Sequence, residues 1–216
     1  MTDTPTRDKI LNTAEKLFAT QGFSATSLRA IIKEAGVNTA AAHYHFGSKE
    51  GVIEAVMLRR AEPVNEERLR LLAGLEKVHP TGALPLEDVA AAFLGPAIQT
   101  VRHPDHKHIL PKLMARAISE PGDELMAVKR KIFGEIYGRF TAAFRRALPG
   151  LSEADVHWRM HCMMGAMVFT VIVPMVEPEQ DMKPPESADR IVERLVDFVA
   201  AGMRAPVPVR MEDDKR

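Results

Sequence analysis

Polar side chains capable of contacting a nucleic acid are concentrated in one short stretch, residues 35–52, AGVNTAAAHYHFGSKEGV. Asn38 and Thr39 stand where a short helix would begin, and alanines occupy the next three positions, 40–42. Alanines give a helix a slim surface that fits the major groove of DNA. Side chains at the N-terminus of such a helix meet base edges in helix-turn-helix docking. The pattern predicts that Asn38, Thr39 and Ala40 read bases.

Groups suited to the DNA backbone flank this segment. Tyr44 and His45 can donate hydrogen bonds to phosphate oxygens, and Lys49 adds a positive charge at the start of the next helix. Thr26 and Ser27 offer hydroxyls and free backbone amides at another helix N-terminus, which is a natural phosphate seat. The alternatives are that Tyr44 is half-buried, that His45 braces the turn, and that Lys49 is an ordinary surface lysine.

Short helices punctuated by glycines position these residues. A first helix follows Thr4 and ends at Gly22. A second, capped by Thr26 or Ser27, ends at Gly36, and a third covers residues 39–45. Two short helices joined by a tight glycine-containing turn form a helix-turn-helix. Phe46 then closes the unit as a core residue.

Helical periodicity continues through the rest of the chain, and no alternating strand pattern is convincing. Ser48 can cap a long helix from Lys49, and further long helices are predicted over residues 123–148, 152–173 and 187–203. The sequence thus predicts an all-α fold with a helix-turn-helix DNA-binding domain at residues 1–47, a ligand-binding and dimerisation domain at 48–204, and a disordered tail at 205–216.

Composition and charge restrict the function classes only weakly. Lys plus Arg and Asp plus Glu both number 29, but a small basic face can occur on a neutral protein. The start, MTDTPTRDKI, lacks the apolar core of a signal peptide. The longest apolar run, residues 162–176, has about 15 residues, against roughly 20 for a membrane-spanning helix. We expect a cytoplasmic protein without a membrane partner.

The motif HYHFGSKE, residues 43–50, preceded by SLRAIIKEAG and AGV, resembles the TetR family of transcriptional regulators. The resemblance implies a three-helix DNA-binding head, a helical body, a homodimer, and repression that ends when an inducer enters the body. It also implies backbone contacts by Tyr44, His45 and Lys49, and base reading by residues 38–40. His43 stands where the family more often has a tyrosine or another residue, and we include it among the candidate DNA contacts.

A two-fold dimer is expected because one head reads too few base pairs for useful specificity. Two heads would meet the half-sites of an inverted-repeat operator about 34 Å or more apart. The apolar segment 161–176 and the last helix are the candidate interface elements. The alternative is that both segments complete the core of their own chain.

Aromatic and methionine side chains in the body could line a cavity for a small-molecule effector, since flexible methionines suit apolar ligands. The same stripes are also typical of an ordinary core. Arg116 could anchor an acidic effector from a buried position, or could lie in solvent. The candidate ligand-binding residues are Phe93, Met114, Arg116, Phe133, Tyr137, Phe140, Met163 and Met167.

Two histidine clusters raise the question of a metal site. His157, His161 and Cys162 have helical spacing, and three further histidines occur at positions 103, 106 and 108. Neither cluster has a clear carboxylate partner, and HWRMH lacks the glutamate of the HExxH pattern. We therefore predict no metal site.

Motifs for catalysis are also missing from the sequence: it has no glycine-rich phosphate loop, no GxSxG elbow and no pair of Glu-x-x-His motifs of the di-iron kind. We predict no catalytic site and no cofactor. The predicted function is sequence-specific DNA binding and repression, with release by an unknown effector. The alternatives are an effector-independent DNA-binding protein and a helical-bundle enzyme.

Overall fold

A computed structural model describes residues 4–103, 109–172 and 187–207 of the chain. Every regular element in these ranges is helical, which confirms the predicted all-α fold. The elements are α1 (Thr4–Gln21), α2 (Leu28–Ala35), α3 (Thr39–Phe46), α4 (Lys49–Val78), α5 (Leu86–Arg102), α6 (Leu110–Ser119), α7 (Asp123–Ala147), α8 (Glu153–Met167) with a π-helical continuation (Val168–Ile172), and α9 (Ala188–Arg204).

Local capping explains where the short helices of the N-terminal region begin and end. The Ser27 hydroxyl accepts a hydrogen bond from the Ala30 amide at 3.1 Å, so Ser27 rather than Thr26 is the N-cap of α2. Gly36 ends that helix in the left-handed conformation, with φ 59° and ψ 42°. Ser48 caps α4 through the Gly51 amide. These caps produce the predicted helix-turn-helix.

The body is a bundle in which α4 packs against both α5 and α7, while α9 packs along α5 and α8. Large side chains from several helices fill its core. Leu94 of α5, Phe140 and Phe144 of α7, Met160 of α8 and Leu195 of α9 are all buried there. The body therefore has a core of its own.

A second core lies beneath the N-terminal helices and crosses into the body. Phe18 of α1 and Ile31 of α2 share it with Val56 of α4, Leu113 of α6 and Leu125 of α7. Met114, also on α6, packs partly against both cores. Helix α6 therefore connects the N-terminal head to the body.

Several sequence predictions fall outside the described residues: His106 and His108, the end of the apolar segment at positions 173–176, and most of the predicted disordered tail, positions 208–216. Among the helices that are described, none combines the length and apolar character needed to cross a membrane.

Candidate nucleic-acid interface

Helix α3 presents one exposed face to solvent. Thr39, Ala40, His43 and Tyr44 all lie on it, at the spacing that places residues on one side of a helix. The Tyr44 side chain is 80% exposed, which is high for a large aromatic residue. This face has the polar and small side chains that docking in a groove requires.

The opposite face of α3 is part of the protein core. Ala42 is fully buried among the head residues, and Ala41 is partly buried. The expectation that all three alanines form a slim outer surface is therefore wrong for Ala42. The physical reason is that consecutive helical residues lie about 100° apart, so three in a row cannot share one face.

Asn38 lies at the exposed N-terminus of α3 and caps it. Its Oδ1 accepts a hydrogen bond from the Ala40 amide at 2.7 Å. Because the oxygen is used in the cap, the amide nitrogen of Asn38 is the group left to donate to a base. A donor of this kind suits the acceptors that purines present in the major groove.

His43 fixes the end of α3. Its Nδ1 lies 2.7 Å from the Gly47 carbonyl oxygen, which requires the Nδ1–H form of the ring. His43 therefore braces the turn that follows α3. His45 is half-buried, and its ring meets Tyr44 edge-to-face at 5.3 Å and Phe46 at 5.9 Å. Phe46 itself packs partly buried against the head core.

A second group of candidate phosphate contacts lies at the turn between α1 and α2. The Lys49 Nζ donates to the Ser24 carbonyl at 3.3 Å, which brings the ammonium group close to the N-terminus of α2. Ser27 is exposed at that terminus. Lysine, hydroxyl and helix N-terminus together favour an anion.

Thr26 departs from the prediction. Its side chain is fully buried, and its Oγ1 donates to the Gly22 carbonyl at 2.7 Å. The hydroxyl therefore holds the α1–α2 turn together and is not offered to a phosphate. Sequence reasoning missed this because Thr and Ser are equally good hydroxyl donors in isolation.

Contacts between the head and the body were not predicted. The Glu120 carboxylate, at the end of α6, accepts hydrogen bonds from the backbone amides of Phe23 at 2.9 Å and Ser24 at 3.1 Å. Gly22 has φ 92°, and a Cβ there would lie 2.2 Å from Glu120 Oε1. We call these four residues the α6 joint. It holds the turn that precedes α2.

A second contact, the α4 joint, links α1 to α4. Glu15 of α1 is buried and pairs with Arg59 and Arg60 of α4. The Arg60 Nε donates to Glu15 Oε1 at 2.6 Å, and Arg59 also donates to Asn12 Oδ1 at 2.8 Å. These contacts tie α1 directly to α4.

The structure brings most of the candidate ligand-binding residues together in the body. Phe93, Phe140 and Met163 are buried in its core, and the Phe93 and Phe140 rings meet edge-to-face at 5.1 Å. Three others lie partly buried at the edge of the same cluster: Met114, Tyr137 and Met167.

Two candidate ligand-binding residues lie elsewhere. Phe133 packs against the head core rather than the body core. Arg116 is 46% exposed and forms an ion pair with Glu120 at 3.7 Å, so it is not the buried anchor proposed from the sequence. Helix α6 turns this arginine toward solvent while burying Leu113 and Ala117.

The buried polar residues in the described part of the body are instead Asn65 and Arg68 of α4 and Thr141 of α7. The Arg68 Nε donates to the Phe93 carbonyl at 2.8 Å, and its Nη1 donates to Asn65 Oδ1 at 3.3 Å. Burial lowers the pKa of the Arg68 guanidinium to about 10. The helical periodicity of α4 could have predicted that Asn65 and Arg68 are buried, because both follow the stripe of buried positions that also contains Ala61 and Leu72.

The histidines of α8 contact Tyr137 of α7. The His157 ring stacks on Tyr137 with centroids 5.6 Å apart, and His161 Nδ1 lies 2.8 Å from the His157 carbonyl. Burial raises the pKa of Tyr137. Within residues 4–103, 109–172 and 187–207, no three His, Cys, Asp or Glu side chains form a group that could hold a metal ion.

Comparison with known proteins gives matches to both parts of the chain. The family described as bacterial regulatory proteins, tetR family, matches residues 10–56. The HTH-type transcriptional regulator UidR of Escherichia coli K12 is 40% identical over 58 residues, covering 27% of this chain and 30% of UidR. The chain thus matches less than a third of that relative's length. YerO of Bacillus subtilis, an HTH-type transcriptional regulator, is 24% identical over 96% of this chain and 69% of its own.

Solved structures show the same fold. The complex of SmeT with triclosan superposes with a TM-score of 0.65 at 22% identity, covering 95% of this chain and 100% of SmeT. A TetR-family regulator from Bordetella parapertussis gives 0.62 at 18% identity, covering 89% of this chain and 93% of its own. The tetracyclin repressor-like C-terminal domain matches residues 91–202, more than half of the 216-residue chain. The chain belongs to the TetR family of bacterial regulatory proteins.

Proposed function

We propose that this protein is a cytoplasmic transcriptional repressor that binds an inverted-repeat operator and is released from it by a small-molecule effector. The observation that carries the proposal is the exposed face of α3, held at the surface of a helix-turn-helix that the family model covers. Residues 1–47 are the DNA-binding domain, and residues 48–204 bind ligand and form the dimer.

The DNA contacts follow from the geometry of the head. Thr39, Ala40 and the Asn38 amide nitrogen meet base edges, because they occupy the exposed start of α3. Tyr44 and Lys49 contact phosphates on either side of that helix. The buried Thr26 side chain is not included.

A homodimer is supported by apolar side chains that no described residue of the chain covers. Trp158 of α8 is 70% exposed and Phe198 of α9 is 69% exposed, and the two helices pack against each other. Gly165 lies on the outer side of α8, where a Cβ would meet no atom within 4 Å. Exposed large apolar residues on adjacent helices are typical of an association surface.

Effector response is supported by the two head–body joints. A ligand that binds one body conformation better than another shifts the population toward it. The α4 and α6 joints would carry that shift to the spacing of the two heads. The complex of SmeT with triclosan shows that a protein of this fold takes a small molecule.

The direct test is fluorescence anisotropy on an operator selected from random duplexes, at several salt concentrations. Lys49→Ala should reduce the slope of log K against log salt by about 0.9, the value for one phosphate contact. Lys77→Ala is the control, because this exposed residue lies about 42 Å farther along α4. Equal slopes for Lys49→Ala and the unmodified protein would contradict the phosphate assignment.

Tyr44→Phe should weaken binding to all duplexes to a similar degree, because a phosphate contact carries no base information. A loss confined to one operator sequence would contradict this and would place Tyr44 at a base edge. Two other results would indicate a different function. Operator binding that no small molecule relieves would indicate an effector-independent DNA-binding protein. A protein that prefers no DNA sequence would instead be a candidate helical-bundle enzyme.

A further inference from the structure

Arg68 is a charged side chain deep in the body. It is 5% exposed, and its guanidinium lies 4.3 Å from the centre of the Phe93 ring. Two protein acceptors, the Phe93 carbonyl and Asn65 Oδ1, take hydrogen bonds from Nε and Nη1. Within the described residues, Nη2 makes no hydrogen bond.

The charge of Arg68 has no counter-ion among the described residues. Other acidic side chains of the body, among them Glu76 and Glu153, pair with different arginines, Arg139 and Arg145. A buried charge without a partner is strongly unfavourable. The guanidinium nevertheless keeps its proton at neutral pH, because its lowered pKa is still about 10.

A structural role explains only part of this arrangement. Pro96 lies inside α5 and lacks the N–H that would bond to the Ala92 carbonyl, and the Phe93 carbonyl is the next acceptor along the helix. The Arg68 Nε–H satisfies the Phe93 carbonyl at that point. A neutral donor could do the same, so the Phe93 carbonyl accounts for one hydrogen bond but not for the buried charge.

We propose that Arg68 binds the carboxylate of an acidic effector, whose apolar part contacts the Phe93 and Phe140 rings. This inference rests on the proposed function, since it names the chemical class of the effector. The guanidinium fork matches a carboxylate in a bidentate pair, with Nη2 and Nη1 as donors. Asn65, held by its hydrogen bond to the Ile132 carbonyl at 3.2 Å, orients the guanidinium from the opposite side.

The position of Arg68 on α4 links this site to the head. Arg59 and Arg60, on the same helix, hold Glu15 of α1. Because Arg68 is already closely packed, an entering carboxylate can reach Nη1 and Nη2 only if α4 shifts relative to α5. Binding therefore favours a different α4 position, which is the differential affinity that an effector needs.

The experiment compares carboxylates with their uncharged amides. The full-length protein is titrated with benzoate, phenylacetate and octanoate, and with the primary amide of each, and binding is read by calorimetry and by the shift in melting temperature. At least one carboxylate should bind roughly tenfold to a hundredfold more tightly than its amide. Arg68→Met should abolish that preference, and Arg68→Lys should retain part of it. Arg145→Met, at an exposed ion pair, should leave it unchanged.

The wild-type comparison decides the proposal even if Arg68→Met does not fold. If no carboxylate binds more tightly than its amide, or if Arg68→Met keeps the preference, the proposal is wrong. Ligand binding is measured without DNA, so a failure of the carboxylate proposal can be told apart from a failure of the proposed function. The proposed function fails if the protein selects no operator.

Discussion

The head and the body hold their functional residues by contacts of very different range along the chain. In the head, Ser27 and Asn38 cap their helices by accepting hydrogen bonds from the amides of Ala30 and Ala40, and His43 bonds to the Gly47 carbonyl. Each of these contacts spans at most four residues. In the body, Arg68 reaches Phe93 across 25 positions, and Asn65 reaches Ile132 across 67. The head is therefore specified by a contiguous motif, whereas the body site exists only once the bundle has packed.

This difference explains why the sequence of the head indicates the family, whereas the sequence of the body does not indicate the chemistry of the effector. A local motif carries its geometry in its spacing, since capping and turn residues act on their near neighbours. The two joints combine both kinds of contact. Each ties a local turn or helix of the head to a side chain that is distant in sequence.

The largest loss of stability is expected from a substitution at Gly22, where a local turn of the head meets a side chain that is distant in sequence. Gly22→Ala places a side chain at φ 92° and against the Glu120 carboxylate, so the free energy of unfolding should fall by about 3 kcal/mol. Gly36→Ala is the matched control: its φ is also positive, at 59°, but the nearest atom to its Cβ is Lys9 Nζ at 3.8 Å. We expect a loss of about 1 kcal/mol there. If urea denaturation gave equal losses of unfolding free energy for the two variants, the α6 joint would contribute no stability.

A smaller effect is expected at the other side of the same joint. Glu120→Ala removes the acceptor for the Phe23 and Ser24 amides, and it should lower the free energy of unfolding by about 1–2 kcal/mol. Hydrogen exchange of these two amides should accelerate as well. Glu153→Ala, which breaks an exposed ion pair with Arg145, should change little. Unchanged exchange at Phe23 and Ser24 would contradict the joint.

The smallest effect is expected for a purely local contact in the head. Ser27→Ala removes the N-cap of α2 and should cost about 1 kcal/mol, while Ser27→Thr should restore most of it. The measurement is thermal unfolding followed by circular dichroism. If Thr26→Ser, at the buried neighbour, were harmless and Ser27→Thr as damaging as Ser27→Ala, the assignment of the cap would be wrong.

Much of the fold could be predicted from the sequence, because glycine stops and hydroxyl caps bound helices of clear periodicity. The predicted third helix ends one residue early, at His45 instead of Phe46, and α4 begins at Lys49 as predicted. The directions in which individual side chains point were harder to predict from the sequence. Ala42 and Thr26 are buried because of the phase of a short helix and a turn hydrogen bond, which spacing alone does not determine.

The body site could be predicted only in outline. Phe93, Phe140 and Met163 meet in the core as expected from their apolar stripes. Helical phase indicates the burial of Arg68, but its hydrogen bond to the Phe93 carbonyl, 25 positions away, forms only when α4 and α5 pack together. The contacts of Glu120 with Phe23 and Ser24 join segments nearly a hundred positions apart, so no local pattern indicates them.

The proposed function requires that the exposed face of α3 reads DNA as one half of a symmetric pair. Selection of bound duplexes from a random pool, followed by anisotropy across salt concentrations, tests it most directly. The expected result is an inverted repeat with half-site centres about 34 Å or more apart, bound tightly and with a steep salt dependence. Recovery of no preferred sequence, with weak binding that is lost near physiological salt, would contradict it.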